Sequence, residues 1–117
     1  MNYYPKTFDI TRELVDQWCA LTGDNNPIHR DVEEVIKYGK PVAPGFLITS
    51  LITHNPEPNW AVAKMNIKFS EPVYVGDTIN IRYKVLKERS KLKVVLVEFY
   101  VEDNLKQSIE MTTVRLY

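Results

Sequence analysis

An aspartate and a histidine stand five positions apart in the stretch Leu21-Thr22-Gly23-Asp24-Asn25-Asn26-Pro27-Ile28-His29. A carboxylate and an imidazole that converge on one point make a general acid–base pair, one holding or taking the proton that the other gives. A continuous helix would defeat this, because five steps at about 100° each splay the two side chains about 140° apart. The intervening residues argue against a helix. Gly23 suits a helix C-cap, and Asn26-Pro27 is a turn pair in which the residue before proline is pushed out of the α region. A turn can aim Asp24 and His29 at the same small volume. The plainer reading is that Asp24 and Asn26 form turns and His29 caps or packs something; spacing alone leaves both open.

The other reactive side chains read as structural. Cys19 is the one cysteine, which excludes an internal disulfide and a cysteine metal cluster. It lies in a helical pattern beside Trp18 and Ala20, so a buried thiol is expected. His54 ends an apolar segment, where a helix dipole favours an imidazole, and it reads as structural too. No metal or cofactor is implied.

The elements that must position Asp24 and His29 follow from periodicity. Thr7 to Ile10 reads as a short strand. Thr11 is an N-cap for a helix whose apolar positions, Leu14, Val15, Trp18 and Leu21, fall on one face until Gly23 stops it. Asp31 with Glu34 makes an Asx version of a capping box for a short helix from Val32 to Tyr38, closed by Gly39 and Pro41. From Gly45 to His54 the chain carries no charge, and a helix apolar nearly all round is a buried one.

After Asn59 everything reads as strand. Trp60 to Phe69 alternates loosely, and Glu71-Pro72 breaks it before Val73-Tyr74-Val75 and a turn at Gly76-Asp77. Ile79, Ile81, Tyr83 and Val85 keep period two. Leu92 to Val101 is denser in apolar residues and so more buried. Asp103-Asn104 turns the chain into a last strand near Ser108 to Leu116. A single domain spanning residues 1–117 is expected, of α+β class, with an antiparallel sheet of about five strands wrapped round one uncharged helix.

Composition limits the partners. The 44% hydrophobic content argues against disorder, and fifteen basic residues balance fifteen acidic ones, so no global field favours nucleic acid or an anionic membrane. Lys87, Arg89, Lys91 and Lys93 read as a solvated hairpin end. No apolar run approaches the roughly 20 residues of a membrane span, and Met1 to Lys6 lacks a signal peptide's apolar stretch. A soluble, cytoplasmic protein is the expectation.

The stretch from Leu21 to His29, followed by Pro44-Gly45-Phe46-Leu47 and by Val73-Tyr74-Val75-Gly76-Asp77, resembles the MaoC-like hydratases of the hotdog fold. These include (R)-specific enoyl-CoA hydratases and (3R)-hydroxyacyl thioester dehydratases. The resemblance implies reversible hydration of trans-2-enoyl thioesters by a dyad of Asp24 and His29. It places the loop-orienting asparagine at Asn26 and the amide that binds the thioester carbonyl at Gly45. A hydroxyl bonded to the aspartate falls near Thr53. It also implies a homodimer joined through sheet edges, with an acyl thioester of CoA or of acyl carrier protein as partner and no cofactor. Pro44 stands where many members carry a histidine, which bears on pocket shape. The basic residues near Lys87 could then meet CoA phosphates or an acidic carrier.

Rival readings are separated by the central helix. Hotdog thioesterases, and the acyl-carrier-protein dehydratases of the other hotdog branch, place a carboxylate there, and Gly45 to His54 has none. A non-catalytic thioester-binding or partner-binding hotdog module remains the alternative.

Overall fold

The structure, a computed structural model, describes residues 6–54 and 58–117, with the side chains of Tyr38, Thr53 and His54 outside the described set. Strand β1 (Lys6–Asp9) is followed by helices α1 (Arg12–Thr22), α2 (Glu33–Tyr38) and α3 (Gly45–Ser50), and then by β2 (Trp60–Phe69), β3 (Thr78–Arg89), β4 (Leu92–Val101) and β5 (Asn104–Arg115). The strands form one five-stranded sheet in the order β1-β3-β4-β5-β2. Every pairing is antiparallel. The α+β expectation holds: the sheet curls round α3, which continues as a 3-10 turn from Leu51 to His54.

The strongest sequence signals become the local structures they predict. The Thr11 hydroxyl accepts the Leu14 N–H at 3.0 Å, capping α1. Gly23 takes φ 76° and donates its N–H to the Cys19 carbonyl, a left-handed cap that glycine adopts without a Cβ penalty. On β3, Ile79 and Ile81 are fully buried. On β4, Lys93, Val95, Val97 and Phe99 alternate inward. The core joins these to Leu47, Ile48 and Leu51 of the central helical segment and to Ile109 and Met111 of β5. Burying a side chain such as Phe99 or Ile48 stabilises by about 1.5–3 kcal/mol each, so this layer holds α3 against the sheet.

Several expectations are corrected. Val73 to Val75 is no strand, and only a bridge between Val42 and Tyr74 forms there. Strand β5 begins at Asn104, because the turn sits one residue early and Glu102 takes φ 55°. Val85 is 39% exposed since the β3 register slips between Val85 and Lys87. The Asp31 and Glu34 capping box does not form, as the α2 N-cap is Val32 without a side-chain bond. Phe46 is exposed, so α3 is buried on one face only. Lys93 is the opposite case: it is 4% exposed, with its ammonium 4.5 Å from the Trp60 ring centroid and 3.7 Å from Glu88. Its long apolar stem tolerates an inward position that its charge argues against.

Candidate active site

The loop after α1 braces itself. Gly23 reverses the chain and frees Asp24, whose Oδ1 accepts the Asn26 N–H at 3.0 Å. The Asn26 Oδ1 in turn accepts the Ile28 N–H at 3.2 Å. Asn26 sits at ψ 121°, the extended conformation that Pro27 demands, and residues Pro27–His29 form a 3-10 turn. Two successive side-chain-to-backbone bonds therefore replace a helix with a tight loop. Its product is the approach of His29 Nε2 to Asp24 Oδ2, at 3.2 Å.

The surroundings divide the labour of each group. His29 is buried while Asp24 is about one-third exposed, at 8% and 31% of their side-chain surfaces. His29 Nδ1 lies 2.6 Å from the Val42 carbonyl oxygen. A carbonyl has no hydrogen to give, so Nδ1 is the donor, and Nε2 is left as the nitrogen that exchanges a proton with its neighbours. Asp24 is similarly split, Oδ1 spent on backbone and Oδ2 turned to the ring. Burial pushes the Cys19 thiol above its ordinary range, with the nearby Asp24 charge the next cause. Cys19 itself is half-buried, less enclosed than expected.

Val42 links this loop to the head of α3. Its N–H donates to the Ile28 carbonyl at 2.8 Å, and it lines a cavity of about 270 Å³ together with Ala43, Gly45, Phe69, Glu71 and Gln107. Asp24 and His29 do not line that cavity themselves. Gly45 meets the Phe69 ring, where an added Cβ would lie 2.6 Å from Cε1. That contact accounts for a glycine here on packing grounds. Its N–H, in the first turn of α3, finds no acceptor among the described residues.

The structure thus gathers Asp24, Asn26 and His29 on one loop, while Gly45 lies in the neighbouring cavity, which shares Val42 with that loop. Thr53 has helical backbone, and its side chain lies outside the described residues. Gln107 is a residue the sequence reading missed. It is 2% exposed, and its Nε2 donates to Thr49 Oγ1 at 2.5 Å and to the Gly45 carbonyl at 3.3 Å. The Thr49 hydroxyl donates to the same carbonyl at 3.1 Å. Period-two counting from Ile109 and Met111 puts Gln107 inside, a signal lost when the strand is started at Ser108. No cluster of side chains suited to a metal ion exists among the described residues.

With this geometry in place, the comparisons are decisive for the family. A family model described as MaoC like domain matches residues 2–107. The chain belongs to the MaoC-like domain family. Its fold is that of hotdog proteins. The (R)-hydratase from A. caviae involved in PHA biosynthesis superposes with a TM-score of 0.87 at 20% identity, over 96% of this chain and 92% of that one. R-hydratase PhaJ1 from Pseudomonas aeruginosa gives 0.86 at 21% identity, over 96% and 78%. The HadBC (3R)-hydroxyacyl-ACP dehydratase complex from Mycobacterium tuberculosis gives 0.75 at 19%, over 95% and 92%. A search of curated proteins found no match. Among the described residues, no helix of this MaoC-like domain is long and apolar enough to cross a membrane.

Proposed function

We propose that this MaoC-like domain catalyses the reversible hydration of trans-2-enoyl thioesters to (3R)-3-hydroxyacyl thioesters. The observation that carries the reading is the 3.2 Å approach of Asp24 Oδ2 to His29 Nε2, with the other ring nitrogen committed to the Val42 carbonyl. Family membership and the (R)-hydratase and dehydratase names of structural neighbours support the same chemistry.

Hydration adds the oxygen of water to C3 and a proton to C2. One member of the pair accepts the water proton, the other delivers a proton to C2, and a transfer across the Nε2 to Oδ2 contact restores the starting state. The negative charge that builds on the thioester oxygen needs a donor in place beforehand. The Gly45 N–H, without an acceptor among the described residues at the head of α3, is assigned that role. Asn26 contributes by fixing the loop. The CoA or carrier-protein thioester is the partner, and β2, an open sheet edge, is proposed to pair with its counterpart in a homodimer.

The test is loss of absorbance at the enoyl-thioester band with crotonyl-CoA and a longer homologue, followed by chiral analysis. Turnover to the (3R) product is expected. Binding of the thioester without turnover would instead identify a non-catalytic module.

A further inference from the structure

We propose that Arg12 is a positioning residue for His29, an inference that rests on the acid–base role assigned above. Arg12 stands in the first turn of α1, remote in sequence from the loop, yet its Nη1 donates to the His29 carbonyl at 2.6 Å. The same nitrogen bonds Asp16 Oδ1 at 3.1 Å. Its Nε lies 3.0 Å from Asp31 Oδ2, at ion-pair distance although the N–H is not aimed at the carboxylate. One guanidinium therefore holds the main chain at His29 and the side chain two positions on.

The arrangement explains how a ring on a short loop keeps its direction. The ring is fixed at Nδ1 by Val42 and at the loop's start by Asn26, whose carbonyl accepts the His29 N–H at 3.2 Å. The N–H of the His29–Arg30 peptide is held inside the loop by the Pro27 carbonyl at 3.0 Å. Its carbonyl is held from outside by Arg12, which refers the loop to α1, whose capped start and fully buried Val15 are anchored in the core. Asp16 and Asp31 balance the guanidinium charge, so it can be held half-buried, 30% exposed, beside the site. A planar fork spans three oxygens in a way that a single ammonium cannot.

A misplacement of about 1 Å in a catalytic group can cost about 10²-fold in rate. Arg12→Met and Arg12→Lys are therefore expected to lower kcat about 10–100-fold with KM changed little. Guanidinium ion added to Arg12→Ala is expected to recover part of kcat. Independently of turnover, the proton on His29 Nδ1 of the wild type is expected as a downfield resonance in NMR, broadened or shifted in both the Met and the Lys variants. The Lys variant keeps the charge, so it guards against a Met variant that does not fold. Should the wild type hydrate no enoyl thioester, the activity assigned above falls while the NMR signal still decides on Arg12. An unchanged Nδ1 resonance in folded Arg12→Lys, or wild-type kcat in either variant of an active enzyme, overturns the proposal.

Discussion

Replacing Gly45 by alanine sets two opposing terms on one methyl group. Gly45 adopts helical backbone open to any L-residue. Alanine there restricts the unfolded chain and ordinarily stabilises by about 0.4–1 kcal/mol. Against this, the new Cβ would stand 2.6 Å from Phe69 Cε1 and 3.0 Å from Cδ1. Overpacking of this kind costs about 1–3 kcal/mol. Phe69 is 53% exposed, so its ring can swing outward and the cost falls at the low end. Swinging also gives up the edge-to-face contact with Phe46, at 6.0 Å between centroids and 86° between planes, a contact worth about 0.5–1.5 kcal/mol. The clash wins, and Gly45→Ala is expected to destabilise by roughly 0.5–2 kcal/mol, or about 2–8 °C in Tm for a domain of this size. In a Phe69→Ala background the obstacle is gone, and the same substitution should stabilise by about 0.5 kcal/mol. Thermal unfolding of the four proteins of this cycle, followed by circular dichroism, measures both signs. If Gly45→Ala lowers Tm equally in the two backgrounds, Phe69 is not what keeps a side chain out, and the reasoning fails.

Asp24→Asn and His29→Gln are each expected to cut turnover at least 10²-fold in folded protein, with the double variant little worse than either; more than about a tenth of wild-type activity in one of them refutes the pair. Gly45→Pro removes the amide at a first-turn position that tolerates proline, so kcat should fall about 10²–10³-fold, and a folded variant with normal kcat shows the carbonyl is held elsewhere. The raised Cys19 pKa means less thiolate at any given pH. Iodoacetamide should then label it more slowly than a free cysteine, with the rate profile displaced to higher pH; Asp24→Asn should move it partly back, and a profile matching free cysteine contradicts this. Light scattering at micromolar concentration should report a dimer, and the 13.7 kDa monomer mass would remove it.

What could be read beforehand was what neighbours in sequence decide. Thr11, Gly23 and Asn26-Pro27 act on backbone within a few residues, so the α1 boundaries and the loop that turns Asp24 toward His29 were visible. The period of β3 exposed its inner face for the same reason. What escaped depends on chain brought from far away. Asp31 was read as a cap because Glu34 is near, but Arg12 of another helix takes it. Gln107 matters because β5 lies under α3, and no local pattern says which helix end a strand will reach. The exposure of Phe46 and the burial of Lys93 are likewise set by partners, an exposed Phe69 in one case and the Trp60 ring in the other.

The carbonyl that receives the His29 ring proton has a history of its own. Val42 is bridged to Tyr74, the Ala43 N–H donates to the Val73 carbonyl at 2.7 Å, and the Val75 N–H donates to Pro41 at 3.0 Å. That carbonyl is therefore held by chain lying beyond β2, and its placement awaits a long loop closure whose entropy is met only as the sheet forms. The acid and the imidazole are brought together by bonds within their own loop, yet the carbonyl that orients the ring is placed late. In refolding, the His29 Nδ1 signal should trail the return of strand ellipticity, and a nascent chain stalled before Val73 should carry the loop without the fixed carbonyl.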